Sequence, residues 1–277
     1  MRAVVASIAC VAVALGVWAF WVEPASLRIV GHPLAIATWP VACGELRVAV
    51  LADLHVGSPF NDLAKLRDVV ARTNAAAPDL VLLAGDYVIQ GVIGGRFVAP
   101  EAAAAVLAGL HAPLGVFAVL GNHDWMLGAP RVRAALEGVR IPVLDDDGVA
   151  VTRRDCRFRL IGISDLWMGP HDVKRALASV AGPGPTIVFT HNPDLFPVIP
   201  TSVDLVVAGH THGGQVDLPL VGRLVVPSSF GARYAAGHVV ENGHHLFTST
   251  GIGTSIVSVR FRVPPEISLL VVRHAER

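Results

Sequence analysis

Asp53 and His55 stand two residues apart at the end of the apolar run LRVAVLAD (46–53), and the same arrangement recurs four more times along the chain. Asp86 closes DLVLLAGD (79–86), and Asn122 and His123 close GVFAVLGNHD (115–124). His191 follows the apolar start of TIVFTHNPD (186–194), and His210 and His212 lie in DLVVAGHTHGGQ (204–215). Carboxylate, imidazole and amide oxygen are donors for borderline and hard divalent cations, and no thiolate is among them. Such a set suits Mn2+, Fe2+ or Zn2+, with Mn2+ the first choice. In D-x-H and H-x-H, residues i and i+2 point the same way if the strand continues, so both can reach one ion. A lone Gly-Asp is ordinary turn chemistry, and a lone D-x-H or H-x-H is weak. All of them together, each at the end of an apolar run, are hard to explain as packing.

Short runs rich in Val and Leu are the pattern of strands buried on both faces. Residues 63–77, 101–111, 130–137 and 172–180 between them have helical composition. Strand alternating with helix predicts an α/β layered core. Open α/β sheets bind ligands beyond the carboxyl ends of their strands, so the five donor-bearing loops are expected to converge. Residues 26–45 read as one or two leading strands. The stretches GVAVTRRDCRFRLIGISD, HHLFTST and EISLLVV read as further strands, some antiparallel. Arg157 and Arg159 share one face of such a strand and read as a solvated sheet face. His111, His171, His238, His244, His245 and His274 read as surface or loop histidines.

Lys+Arg and Asp+Glu number 22 each in 277 residues, so the formal net charge is zero. That balance argues against a nucleic-acid binder, which needs a basic surplus. A hydrophobic fraction of 53% with 16% charged residues also excludes extended disorder. Cys10, Cys43 and Cys156 show no CxxC spacing and read as isolated thiols, with a Cys43–Cys156 disulfide the alternative. From Ala3 to Val22 there is no charge, and Ser7 and Gly16 alone are neither apolar nor aromatic. A helix of that length spans about 30 Å, the thickness of a bilayer core. Trp18 and Trp21 sit near its end, as interfacial aromatics do, and Glu23 and Pro24 are expected to stop it. The reading is an uncleaved anchor over 1–22, with a cleaved signal the alternative, then a linker with leading strands over 23–45 and a catalytic domain over 46–277. Arg2 before the span leans weakly towards a domain outside the cytoplasm.

AD-x-H, GDYV, GNHD, THNPD and GHTHGGQ, in this order, resemble the calcineurin-like metallophosphoesterase superfamily. The resemblance implies two packed mixed β-sheets flanked by helices, preceded here by one transmembrane helix. It implies that Asp53, His55 and His212 hold one divalent ion, that Asn122, His191 and His210 hold a second, and that Asp86 bridges them. His123 would then face the phosphoryl group as the catalytic side chain, and Asp124 would orient an imidazole from behind or serve as a cap. Two ions about 3.5–4 Å apart clamp a phosphoryl group and lower the pKa of bound water towards ~7. GHTHGGQV, STGIGTS and PPEI are similar to a bacterial branch with an N-terminal membrane or export segment. That branch includes phosphodiesterases and a UDP-2,3-diacylglucosamine pyrophosphatase. Ser258 stands where it commonly has a proline.

The implied enzyme hydrolyses phosphodiester or pyrophosphate bonds of a phosphorylated small molecule or a lipid-linked substrate at a bacterial inner membrane, with no nucleic acid as partner. The apolar, Gly-rich stretch YVIQGVIGGRFVAP (87–100) is either a loop packed on its own domain or a lip that meets acyl chains. A non-catalytic, membrane-tethered interaction module is the remote alternative, which the complete ligand set disfavours.

Overall fold

Val48 and Val50 of β2 (Leu46–Leu51) turn one way while Ala49 and Leu51 turn the other, and all four are fully buried. In a computed structural model that describes residues 1–275, this two-sided burial builds a sandwich; the last two residues of the expected 46–277 domain lie outside the described chain. The first sheet has the order β1-β11-β2-β3-β4, with β1 Arg28–Ile36, β3 Leu80–Leu83, β4 Val116–Ala118 and β11 Glu266–His274. The second has the order β5-β6-β7-β8-β10-β9. Its members are β5 Asp147–Arg153, β6 Cys156–Ile163, β7 Thr186–Thr190, β8 Leu205–Ala208, β9 Gly237–Glu241 and β10 His244–Thr248. Both sheets are mixed, as expected: β2-β3-β4 and β6-β7-β8-β10 run parallel, while β2 meets β11, β5 meets β6 and β9 meets β10 antiparallel.

Three apolar layers follow from this alternation. Val48, Val50 and Leu82 of the first sheet pack between the sheets against Leu160, Phe189 and Val207 of the second. On the outer face of the first sheet, Leu51, Val81 and Leu83 meet helices Leu63–Ala75, Pro100–Leu107 and Asn122–Gly138 through Leu66, Leu107 and Val132. On the outer face of the second, Ile161 and Val206 meet Ala176 of helix Val173–Ala178 and Phe196. Each expected helix is present. One begins eight residues earlier than its composition suggested, at Asn122, because Asp124 caps its amino end and Gly128 (φ 127°) kinks it before Pro130.

The apolar N-terminal helix extends over Arg2–Ala25, long and apolar enough to cross a membrane and almost wholly exposed. Glu23 and Pro24 do not stop it. Pro24 has no N–H to give to the preceding turn, and the carbonyl of Ala19, five residues back, accepts the amide of Arg260 instead, at 2.9 Å. The buried Glu23 carboxylate accepts from the Trp18 indole at 2.5 Å and from the Val263 amide at 2.6 Å. The foot of this helix is therefore seated on the segment just before β11.

Cys43 and Cys156 are not isolated thiols: they form a disulfide across 113 residues, tying the leading segment to the start of β6. Spacing alone hid it, because the two residues meet only after the sheets have stacked. Cys10 is free and exposed. Cross-linking so long a loop restricts the unfolded chain, by about 4–5 kcal/mol in the chain-entropy account. The double variant Cys43→Ser/Cys156→Ser is expected to unfold at clearly lower denaturant than the parent, and to lose the parent's sensitivity to dithiothreitol. A midpoint equal to that of the oxidised parent would contradict the cross-link.

Candidate metal centre

Parallel strands with a common direction deliver their following loops to one edge. Asp53 follows β2, Asp86 follows β3, Asn122 follows β4, His191 follows β7, and His210 with His212 follows β8. The loops are stitched together by their own backbones. The Asp53 amide donates to Gly85, the His55 amide to Asp86, the Gly209 amide to His191, and the Gly253 amide to Asp53, at 2.7–3.0 Å. Glycine is needed at Gly121 because a Cβ there would lie 2.2 Å from Asp86 Oδ1.

All seven expected ligands converge, and each is buried. His55 Nε2 and His212 Nε2 face each other at 3.1 Å, and Asp53 Oδ1 is 3.5 Å from His212 Nε2. On the other side, His191 Nε2 lies 3.1 Å from both Asn122 Oδ1 and His210 Nδ1. Asp86 Oδ2 stands between the two groups, 3.5 Å from His55 Nε2 and 3.3 Å from His191 Nε2. Asp53, His55 and His212 form one set able to hold an ion, and Asp53, Asp86 and His191 another. The far nitrogens of two rings are fixed by the fold: His55 Nδ1 bonds the Val88 carbonyl at 3.1 Å and His191 Nδ1 the Ala84 carbonyl at 2.8 Å. Such bonds set the tautomer and leave Nε2 as the donor.

Five of these seven residues, Asp53, His55, Asp86, His210 and His212, have left-handed backbone with φ between 40° and 69°. For residues with a Cβ that conformation costs of order 1–3 kcal/mol each. Among the described residues His210 Nε2 and His212 Nδ1 are buried without hydrogen-bond partners. Strained backbone and unsatisfied nitrogens gathered around carboxylates fit a cluster that cations complete.

The charge balance agrees. Burial lowers His55 to about 4 and His210 to about 3, and holds His212 well below the ordinary imidazole range, so their lone pairs are free near neutral pH. Burial raises Asp53 to about 7 against the opposing charge of His191. Burial also resists ionisation of Asp86, but His191, by charge and hydrogen bond, and then the nearby His55 hold its carboxyl well below the usual range. His191 is correspondingly held well above its ordinary value, its own burial overcome by Asp86.

His123 opens the helix that starts at Asn122. Its amide donates to Asp86 Oδ1 at 2.9 Å, and its ring stands edge-on to His55 at 4.9 Å between centroids. Together with Asp86, Asn122, His210 and His212 it lines a 340 Å³ cavity. Among the described residues the Asp124 carboxylate hydrogen-bonds no imidazole. Its carboxylate gathers the amides of Asp86 (2.7 Å), Tyr87 (3.0 Å) and Gly121 (2.9 Å), so it holds the loop that carries Asp86 while capping the helix. His244 and His245 are also not surface residues; both are buried in β10, where His244 stacks on Phe196 and His245 bonds His238.

The sequence reading missed Trp167, Gln90, Ser255 and Ile256, which share the cavity. The Trp167 indole meets His210 edge-on at 4.3 Å, and Asp165 Oδ2 accepts the amides of Trp167 and Met168. β6 is parallel to β7, so the strand-end argument applied to β6 would have found this loop. The stretch 87–100 splits: Val88, Ile89 and Val92 are buried, whereas Ile93 and Phe97 are exposed. Arg260 is buried, with a pKa that burial lowers to about 10. Its guanidinium rivets the carbonyls of Thr250, Gly251, Gly253 and Val263 under Asp53 and His55.

A stacked pair of mixed sheets with His, Asp and Asn converging at one edge defines a metal-dependent phosphoesterase. The chain belongs to the calcineurin-like phosphoesterase family, whose model matches residues 46–214. It is 34% identical over 252 residues, 90% of this chain and 89% of the other, to phosphodiesterase YaeI of Escherichia coli. It is 25% identical over 307 residues, 92% of each chain, to the UDP-2,3-diacylglucosamine pyrophosphatase LpxG of Chlamydia trachomatis. Among solved structures it resembles the NAD nucleotidase of Haemophilus influenzae in fold, with a TM-score of 0.50 and 15% identity over 75% of this chain. That match spans 45% of the nucleotidase, so this chain covers less than half of that longer protein.

Proposed function

We propose that this chain is a membrane-anchored phosphodiesterase that uses two divalent ions, Mn2+ for preference, to hydrolyse a lipid-linked phosphodiester on the outer face of a bacterial inner membrane. The observation that carries the chemistry is the position of Asp86, one carboxylate oxygen between the ring nitrogens of His55 and His191. Asp53, His55 and His212 would hold one ion and Asn122, His191 and His210 the other, with Asp86 placed to serve both. When bound, the ions neutralise phosphoryl oxygens and activate a water.

The protein's side chains do the rest. His123, the partly buried ring at the cavity wall, faces the phosphoryl group and donates a proton to its oxygen or to the leaving group. Asp124 fixes the Asp86 loop, and the His55–Val88 and His191–Ala84 bonds stop the rings from turning. Trp167 and Ile256 narrow the mouth and restrict water. Hydrolysis of the kind named for YaeI fits a pocket open enough for a second ester group.

The disulfide supports the outer face, since cross-links persist in oxidising compartments. The likeness to LpxG supports a second reading, pyrophosphate cleavage in a UDP-linked diacylglucosamine, which needs a cytoplasmic domain. The test incubates the Mn2+-loaded full chain with bis(p-nitrophenyl) phosphate, p-nitrophenyl phosphate and UDP-2,3-diacylglucosamine. Diester hydrolysis abolished by chelation is expected, with little action on the monoester. Faster release of UMP than of nitrophenol would favour the second reading, and no metal-dependent cleavage of any of them would reject both.

A further inference from the structure

The cavity that holds the metal-directed side chains continues sideways. Its wall residues Ser255 and Ile256 also line a 180 Å³ space that reaches from His212 and Pro227 to Val225, and then a 390 Å³ groove. The groove is walled by Val216, Leu218, Leu224, Val225, Val257 and Val259, with Gly214 and Gln215 as its other contributors. Among the described residues no charged side chain lines it. Leu224, Val225 and Ile256 are 69%, 77% and 69% exposed, a cost that a water-filled surface channel gives no reason to bear. Single exposed apolar residues are common on soluble proteins, but a continuous apolar concavity joined to a polar reaction site is the form of a small-ligand pocket.

Two observations indicate what lies in it. One end opens on the side chains that would grip a phosphoryl group, so its occupant carries a phosphoester at that end. The other end is walled by Val259, whose neighbour Arg260 gives its amide to Ala19 near the foot of the apolar helix. The groove thus runs from the reaction site towards the segment on which the anchor is seated. Leu220 and Val221, next after Leu218 along this loop, are exposed as well.

We propose that this groove binds a hydrocarbon chain of the substrate, seating an amphiphile with its phosphoester at the metal pocket and its tail along Val225, Leu224 and Val259. The proposal rests on the reading of the site as a phosphoesterase and adds to it the residues that select a lipid. Burial of methylene groups against these walls supplies binding that a soluble diester lacks.

The test uses the Mn2+-loaded full chain, kept soluble in amphipol, with p-nitrophenyl phosphodiesters of methanol, butanol and octanol below their micelle concentrations. In the parent, kcat/KM is expected to rise at least tenfold from methyl to octyl. In Leu224→Asp and Val225→Asp the octyl-to-methyl ratio is expected to fall below threefold, with two ions still bound. A parent ratio near one would overturn the groove proposal while leaving phosphodiester hydrolysis intact. Variants with the parent's ratio would overturn it equally, placing the chain elsewhere. Absence of turnover on the methyl diester as well would show instead that the phosphoesterase reading fails, and the groove proposal with it.

Discussion

Asp86→Ala is expected to lose both ions at once and to reduce phosphodiester turnover at least about a thousandfold. The reason is geometric: among the described residues its Oδ2 is the one carboxylate oxygen within 3.5 Å of a ring nitrogen from each half of the cluster. Its loss would also remove the carboxylate whose charge and hydrogen bond hold His191 above its ordinary value. The two halves of the site would then be six donors with no shared anion. Elemental analysis of the gel-filtered variant reads the outcome directly. Retention of one full ion per chain would assign Asp86 to one ion alone, and retention of two would remove it from the cluster. Because Asp124 and Gly121 pack against this loop, circular dichroism of the variant separates loss of metal from loss of fold.

His123→Ala is expected to behave in the opposite way, with near-normal metal content and turnover lower by about 10²–10⁴-fold. The His123 backbone amide donates to Asp86 Oδ1, and alanine keeps that bond. What disappears is the ring that stands edge-on to His55 at the cavity wall. The loss should fall mainly on kcat, since a group that meets charge developing in the transition state contributes little to ground-state binding. If metal content falls in step with activity, His123 is a ligand, a possibility its grouping with His55 and Asp86 makes concrete. Paired with Asp86→Ala, this variant separates holding the ions from using them.

The parts of this protein legible from sequence are those that repeat a local rule. Short Val- and Leu-rich runs bounded by turn residues read as doubly covered strands, and a metal-donor type after each of five such runs marks one shared edge. Asp53, His55, Asp86, Asn122, His191, His210 and His212 were found that way, and the structure brings all seven together. What the residues concealed depends on the chain meeting itself at long range. Cys43 and Cys156 look isolated until β6 stacks beside the leading segment. Helix Arg2–Ala25 passes Glu23 and Pro24 only because Val263 and Arg260 supply partners from the far end of the chain. Asp124 was open to two readings, a support for an imidazole or a cap, and its position three residues beyond Gly121 makes it a collector of backbone amides. Local propensity would also not place left-handed backbone at five of the expected ligands, where the loops cross one another.

The groove was half visible. An apolar stretch beside Asp86 drew attention to residues 87–100, yet Val88, Ile89 and Val92 are packed inward. The larger apolar concavity is built from Val216–Val225 and Ile256–Val259, whose residues are scattered through loops without a period. Exposed apolar residues in irregular loops carry no pattern that a sequence can display.

Everything proposed for this site depends on a two-ion cluster. Calorimetric titration of the metal-free full chain with Mn2+ tests it most directly. Two ions per chain are predicted, with protons released as they enter and with Asp86→Ala taking up neither. Saturation at a single ion, or no measurable uptake, would contradict it.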